Sequence, residues 1–239
     1  MNIRRLILFA ALSLPLIALG QAPDNKAIEQ ATLDRESPYY YPALMIRYIH
    51  GDTTLTLDEY RYLYYGFAYQ PDYRPLEAVP AADRLMNVMA ANARPDSTDA
   101  IEILRQAREV MKRDPFSPTN INFMTYAYGL LGDKEQAMYS ADRLRKVVET
   151  IRGSGDGLTE KTAWHVLSFA HAADIMALMD LKTKKPIIVS STVEYVPLLV
   201  RDGDVKGYYF NYGRAYWKKP DNLPEKRVDG FEINGIKVK

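Results

Sequence analysis

Cysteine is absent from this chain of 239 residues, and histidine occurs only three times. Without cysteine the protein has no disulfide bond, no thiol nucleophile and no thiolate metal ligand. Neither sign of charge dominates, because 31 lysine and arginine residues are balanced by 30 aspartate and glutamate residues. The chain therefore lacks the basic excess that is typical of nucleic-acid-binding proteins, and we expect no nucleic-acid partner.

Recognisable reaction chemistry is also missing. The chain contains neither the Gly-x-Ser-x-Gly turn of many serine hydrolases nor the His-Glu-x-x-His motif of zinc proteases. His165 and His171 are six residues apart, which is not a standard spacing for two metal ligands. The glycine-rich segment 153–157 lacks the Gly-Lys-Ser/Thr ending of a phosphate loop, so we interpret it as a turn or linker. We predict no cofactor, no metal and no catalytic residue.

Long apolar runs are confined to the N-terminus. Arg4 and Arg5 precede an apolar run over Leu6–Leu19, and Gly20 is a small residue at its end. This pattern predicts a secretory signal peptide over residues 1–20, cleaved after Gly20 or after Ala22. Its removal lowers the count of basic residues from 31 to 29, against 30 acidic ones, and leaves no membrane span. Because no cysteine follows the run, we expect a periplasmic or secreted protein that is not a lipoprotein.

Tyrosine is abundant, and ten of the eighteen tyrosines lie between residues 36 and 73. In this segment Thr56 and Glu59 have the spacing of a capping box, which predicts the start of an amphipathic helix. An earlier helix is predicted to begin at Pro38 or at Pro42. The two helices are expected to form a helical hairpin joined by a short polar loop.

Two roles for these tyrosines remain open. The rings can pack in a helix-pair core with their hydroxyls towards water, or they can form a surface that binds a glycan, a peptide or a partner protein. The candidate binding residues are Tyr39, Tyr40, Tyr41, Tyr62, Tyr64, Tyr65 and Tyr69.

Further amphipathic helices follow, predicted over residues 81–93, 99–113, 118–131 and from the turn at 132–133 to 151. Leu131 and Met138 are predicted to face inward. The last two helices resemble the tetratricopeptide helix–turn–helix, because Tyr128, Gly132 and Ala137 have the spacing of its tyrosine, turn glycine and small residue. That resemblance implies stacked helical hairpins, and such arrays usually present a groove to a peptide or protein.

The last third of the chain has a β-rich pattern. The elements predicted there are a strand over 162–169, a helix over 170–181, and strands over 187–200 and 205–212. Pro197 places part of its strand at a sheet edge or a bulge. Asn234 and Gly235 predict a two-residue hairpin that pairs Ile233 with Ile236.

The predicted fold class is therefore α+β. Stacked, tetratricopeptide-like helical hairpins precede a small, mainly antiparallel sheet with one helix. After the signal peptide (1–20), the helical-hairpin region covers 21–152 and the sheet region covers 153–239. We expect the sheet region to pack on the helices as one domain, since it is short for an independent one.

Several segments together resemble a secreted domain-of-unknown-function family that is common in Bacteroidetes. They are the signal peptide, the tyrosine-rich segment 37–73, the sequence GSGDG at 153–157 and VKGYYFNYG at 205–213. The resemblance implies export and a domain of helices plus sheet. It implies no established activity, so no catalytic residue follows from it.

The leading functional hypothesis is a non-enzymatic exported protein that binds a peptide, a protein or another component of the cell envelope. One alternative is a hydrolase with an unrecognised site that uses Asp52, Asp58, Glu59 or His50. Another is a structural envelope protein without a small ligand. The sequence leaves the oligomeric state open.

Overall fold

The computed structural model describes residues 20–91 and 94–217, together with the backbone of 232–233 and 236–237. The helices are α1 (Asn25–Leu33), α2 (Tyr41–Ile49), α3 (Leu57–Gly66), α4 (Pro80–Ala91), α5 (Ser97–Arg113), α6 (Pro118–Leu130), α7 (Lys134–Arg152) and α8 (Phe169–Leu178). The strands are β1 (Trp164–His165), β2 (Ile187–Ile188), β3 (Val193–Asp202), β4 (Val205–Asn211), β5 (Glu232–Ile233) and β6 (Ile236–Lys237). Helices precede a small sheet, which confirms the predicted α+β class.

Helix α3 begins where its sequence predicts. The hydroxyl of Thr56 accepts a hydrogen bond from the N–H of Glu59 (3.1 Å), and the Glu59 carboxylate accepts one from the N–H of Thr56 (2.7 Å). This capping box satisfies two backbone donors at the start of the helix, where the first turn has no partners of its own. Helix α2 begins at Tyr41, so Pro42 rather than Pro38 lies in its first turn.

Helices α4 to α7 pack in chain order, each against the next. Gly132, with φ +73°, forms the turn between α6 and α7 in the left-handed conformation that glycine favours. The predicted inward positions of Leu131 and Met138 are wrong, and Met138 is 59% exposed. The buried residues of α7 begin only at Ser140, so the first turns of this long helix extend beyond the packed layer.

Strands β1 to β4 form one sheet in the order β1–β4–β3–β2. Strand β1 is parallel to β4, and the other two pairings are antiparallel. The strand predicted over 162–169 is wrong except at Trp164–His165. Residues Glu160–Thr162 form a 3₁₀ helix, and the Ser168 hydroxyl caps α8 by accepting a hydrogen bond from the N–H of His171 (3.3 Å). The backbone on both sides of β1 therefore belongs to other elements.

The predicted irregularity at Pro197 is confirmed. Pro197 pairs with Gly207, and Asp202 pairs with Val205. Four residues of β3 (198–201) therefore lie opposite the single residue 206 of β4. This bulge interrupts the hydrogen-bonded ladder between β3 and β4.

The predicted C-terminal hairpin is confirmed in its pairing. Strand β5 is antiparallel to β6, with Ile233 opposite Ile236. Asn234 and Gly235, which carry the turn prediction, lie outside the described residues.

One hydrophobic cluster joins the helices to the sheet. It includes Tyr64 of α3, Phe116 before α6, Trp164 of β1 and Phe210 of β4. The rings of Tyr64 and Phe116 are 5.6 Å apart, and those of Trp164 and Phe210 are 5.5 Å apart, both edge to face. A second cluster lies among α4, α5 and α6. Burial of these large aromatic side chains is a main source of the fold's stability.

Candidate functional site

The tyrosines predicted to form a binding surface fall into two groups. Tyr41, Tyr64 and Tyr65 are buried, and the exposed fraction of Tyr64 and Tyr65 is 0%. For these three residues the binding-surface interpretation is corrected, because the rings of Tyr64 and Tyr65 are fully buried and Tyr41 is only 7% exposed. Consecutive residues of α3 are both buried because neighbouring elements cover more than one face of this helix.

The other group, Tyr39, Tyr40, Tyr62 and Tyr69, is partly exposed. The rings of Tyr39 and Tyr62 stack at 3.8 Å, and the Tyr39 hydroxyl donates a hydrogen bond to Asp58 (2.6 Å). That hydrogen bond is the largest cause that raises the pKa of Tyr39 to about 12. The Tyr69 hydroxyl donates to the carbonyl of Asn25 (2.7 Å). The hydroxyls of Tyr39 and Tyr69 therefore already have hydrogen-bond partners within the protein.

The carboxylates of the hydrolase alternative hold α2 against α3. Arg47 forms ion pairs with both Asp52 (2.7 Å) and Glu59. Hydrogen bonds from Thr54 and then Arg47 lower the pKa of Asp52 to about 2. Burial opposes ionisation of Glu59, but hydrogen bonds from Thr56 and Arg47 outweigh it and lower its pKa. Both groups are held in the charged form, which suits an ion-pair network and not a general acid.

A buried polar chain crosses the core. The Tyr64 hydroxyl lies 2.8 Å from Nδ1 of His171, and Nε2 of His171 lies 3.0 Å from the Asp114 carboxylate. Aspartate, histidine and a hydroxyl in this order resemble a catalytic triad in connectivity. His171 is only 1% exposed, however, so its imidazole is not accessible to a substrate in this conformation. No local sequence pattern predicts this hydrogen-bonded group, because Asp114 and His171 are 57 residues apart.

Arg214 is a second buried polar residue that the sequence analysis missed. It is 4% exposed, and its guanidinium lies 4.8 Å from the centre of the Tyr65 ring. It donates hydrogen bonds to the carbonyl of Pro23 (3.3 Å) and to the side chain of Asn25. Among the described residues it forms no ion pair with a carboxylate. Arg214 thus fixes the segment before α1 to the core.

The most exposed apolar residues of the sheet lie along its open edge. We name residues 182–189 and 199–201 the edge surface. Segment 182–189 runs along β3, because Leu199 donates a hydrogen bond to the Lys182 carbonyl (2.8 Å) and Val189 donates one to the Val193 carbonyl (2.9 Å). The exposed aliphatic residues of the edge surface are Ile187, Ile188, Val189, Leu199 and Val200. Exposed apolar groups of this kind mark contact sites more often than isolated ones do.

The edge surface also carries unpaired positive charge. Its exposed cations are Lys182, Lys184, Lys185 and Arg201, and the two ranges contain no acidic residue. Within the described part of the chain, none of the four forms an ion pair. The acidic residues of β3 are Glu194, opposite Ile188, and Asp202, which accepts a hydrogen bond from Tyr208 (3.2 Å). The edge surface therefore combines apolar side chains with cations that form no ion pair, and Asp180 and Asp202 flank it in the sequence.

Neither a metal centre nor a membrane span is found in the part of the chain that the structure describes. No group of three His, Asp or Glu side chains there is arranged to hold a metal ion. None of the described helices combines the length and the apolar composition that a membrane crossing requires.

The comparisons with known proteins give a family. No curated protein and no solved structure matches the chain. Residues 26–219 match the model of a family described as Domain of unknown function (DUF4919). This match extends from α1 through β4 and covers the polar chain, Arg214 and the edge surface. The sequence-based resemblance to a domain-of-unknown-function family is thereby confirmed, and the chain belongs to the DUF4919 family.

Proposed function

We propose that this protein is an exported, non-enzymatic binding module that engages a component of the cell envelope through the edge surface. The observation that carries the proposal is the exposure of the aliphatic side chains along this edge, where Ile188 is 77% and Val200 75% exposed. Leaving such side chains in water costs free energy that contact with a partner recovers. The proposal includes cleavage of the signal peptide over 1–20 and an origin in Bacteroidetes.

The partly exposed tyrosines are weaker candidates for contact with a partner than the edge surface is. Tyr39 is stacked on Tyr62 and bonded to Asp58, so its ring and hydroxyl have partners already. Tyr69 packs beside Trp217, with ring centres 5.3 Å apart. We also propose that the α6–α7 hairpin is a tetratricopeptide-like unit.

The proposal is tested by capture. The processed protein, immobilised, is incubated with the detergent-solubilised envelope fraction and with culture medium. The edge variant Ile188→Ser/Val200→Ser is compared with Ile101→Ser/Met138→Ser, in which two comparably exposed apolar residues of α5 and α7 change instead. We expect an envelope component to be retained by the wild type and by the control but not by the edge variant.

Equal retention by all three proteins would contradict a role for the edge surface. Thermal unfolding of each variant is the accompanying check on folding. All four substituted side chains are largely exposed, so we expect changes within about 0.5 kcal/mol in the free energy of unfolding.

A further inference from the structure

The bulge in β3 carries two of the exposed aliphatic residues of the edge surface. Residues 198–201 exceed the length of the facing β4 strand, since they lie opposite the single residue 206. Leu198 is buried, whereas Leu199 and Val200 after it are exposed. The bulge thus leaves two successive aliphatic side chains in contact with water, where a partner can reach them.

The sheet edge itself is poorly suited to pairing with another strand. Strand β2 has two residues, and Pro186 immediately before it has no N–H to donate to a partner strand. Lys184 and Lys185 lie next to Pro186, and short edge strands with lysine and proline are the features that prevent strand addition. The edge surface must therefore engage its partner through side chains and not through backbone hydrogen bonds.

Those side chains are of two kinds, ordered along the edge. Lys182, Lys184 and Lys185 lie between Leu199, which bonds to Lys182, and Ile187 and Ile188 further along. Arg201 follows Val200 in the sequence. Exposed aliphatic groups beside cations that form no ion pair match the boundary of a bilayer, where acyl chains lie below anionic headgroups.

We propose that the edge surface binds peripherally to the surface of an anionic phospholipid bilayer. Leu199, Val200 and Ile188 enter the headgroup boundary, and the lysines contact lipid phosphates. This inference rests on the proposed envelope-binding function and names the component that is bound. It requires no membrane-spanning segment, because apolar insertion and electrostatic attraction act together at the interface.

The test uses the processed protein, because an uncleaved signal peptide would itself bind lipid. Vesicles of phosphatidylglycerol and phosphatidylethanolamine are compared with vesicles of phosphatidylcholine in flotation experiments. We expect binding to the anionic vesicles and at least tenfold weaker binding to the zwitterionic ones. Added salt should weaken the binding, since it screens attraction to the surface charge.

Two edge variants, each compared with a control variant, separate the contribution of the lysines from that of the aliphatic side chains. Lys184→Gln/Lys185→Gln should lower affinity for anionic vesicles on the order of 25-fold, since each basic residue at such a surface contributes about fivefold. Lys134→Gln/Lys161→Gln makes the same change in net charge away from the edge and should stay within about twofold of the wild type. Ile188→Ser/Val200→Ser should lose binding, whereas Ile101→Ser/Met138→Ser should keep it.

Three outcomes would overturn the lipid inference: equal binding to both vesicle types, equal loss in the edge and control variants, or no binding to either vesicle. Its failure is distinguishable from failure of the proposed function. If vesicles are not bound but a purified envelope protein binds in an edge-dependent manner, the module binds protein and the lipid assignment is wrong. If neither binds, both proposals are wrong.

Discussion

The hydroxyl of Tyr64 on α3 lies 2.8 Å from Nδ1 of His171 on α8. The same oxygen accepts a hydrogen bond from the N–H of Leu167 (3.2 Å), and the far side of the imidazole contacts Asp114. All of these bonds lie within or at the margin of the core. In a medium of low dielectric, these hydrogen-bonded side chains are held in one geometry, because the loss of one hydrogen-bond partner leaves another buried polar group unsatisfied. These hydrogen bonds therefore fix how α3, α8 and the segment before α6 pack together.

Replacing Tyr64 by Phe tests this role. We expect the free energy of unfolding to fall by about 1–3 kcal/mol, because Nδ1 of His171 and the N–H of Leu167 would remain buried without their partner. Urea unfolding measures the change. The control is Tyr62→Phe on the same helix, where Phe keeps the stack on Tyr39 and the loss should be within about 0.5 kcal/mol. Equal losses in the two variants would show that the hydroxyl of Tyr64 is unimportant.

His171 should make stability decline on the alkaline side. Burial lowers its pKa, but the charge and hydrogen bond of Asp114 outweigh burial and raise the pKa above the ordinary 6.5. The folded protein thus keeps a proton that the unfolded chain has released. The resulting stability is fully present below pH 6.5 and is lost as the pH rises through the folded-state pKa.

We expect the urea midpoint of the wild type to fall over that window and that of His171→Gln to fall less. The comparison removes the contributions of groups that do not interact with His171. Parallel curves for the two proteins would contradict the assignment.

His165 should have the opposite effect. Burial, together with the positive charges of Arg214 and Arg61, lowers its pKa to about 4. The unfolded chain takes up a proton near pH 6.5, so this stability is present above pH 6.5 and is lost as the pH falls towards 4. NMR titration of the imidazole should locate the low pKa directly. His165→Gln should retain more of its neutral-pH stability in acid than the wild type does, and a midpoint near 6.5 would refute the shift.

Arg214 should control the order of the segment before α1. Its hydrogen bonds to Pro23 and Asn25 join this segment to the Tyr65 ring. Loss of bonds to a charged donor costs about 2 kcal/mol, so Arg214→Met should speed amide hydrogen exchange in residues 24–28 roughly 30-fold. Arg74→Met, which removes an exposed ion pair with Glu77, is the control and should leave that exchange unchanged.

The capping box of α3 gives a prediction that depends on local structure alone. Thr56→Ala removes the acceptor for the N–H of Glu59 and should lower the free energy of unfolding by about 1 kcal/mol. Thr53→Ala, in the preceding loop, is the matched control and should cost less than half of this. Chemical denaturation of both variants provides the measurement.

Features that depend on neighbours in the chain were predictable from the sequence. The start of α3 at Thr56, the bulge at Pro197, the turn at Gly132 and the antiparallel pairing of β5 with β6 all follow from short-range sterics and hydrogen bonding. These constraints act over a few residues, so the residues themselves reveal them. The general order of helices followed by a sheet could also be predicted, because the hydrophobic pattern changes from helical periodicity to strand alternation where the helices end.

Only the tertiary structure decided which side chains are accessible. Amphipathicity predicts one buried face of α3, whereas Tyr64 and Tyr65 are both fully buried because other elements cover the helix on further sides. Asp114 and His171 are brought together by packing across 57 residues, and no local pattern encodes that contact. The edge surface likewise depends on strand order. The sequence of segment 182–189 predicts apolar residues beside lysines, but their exposure follows from the position of β2 at the open edge, where no further described strand covers them.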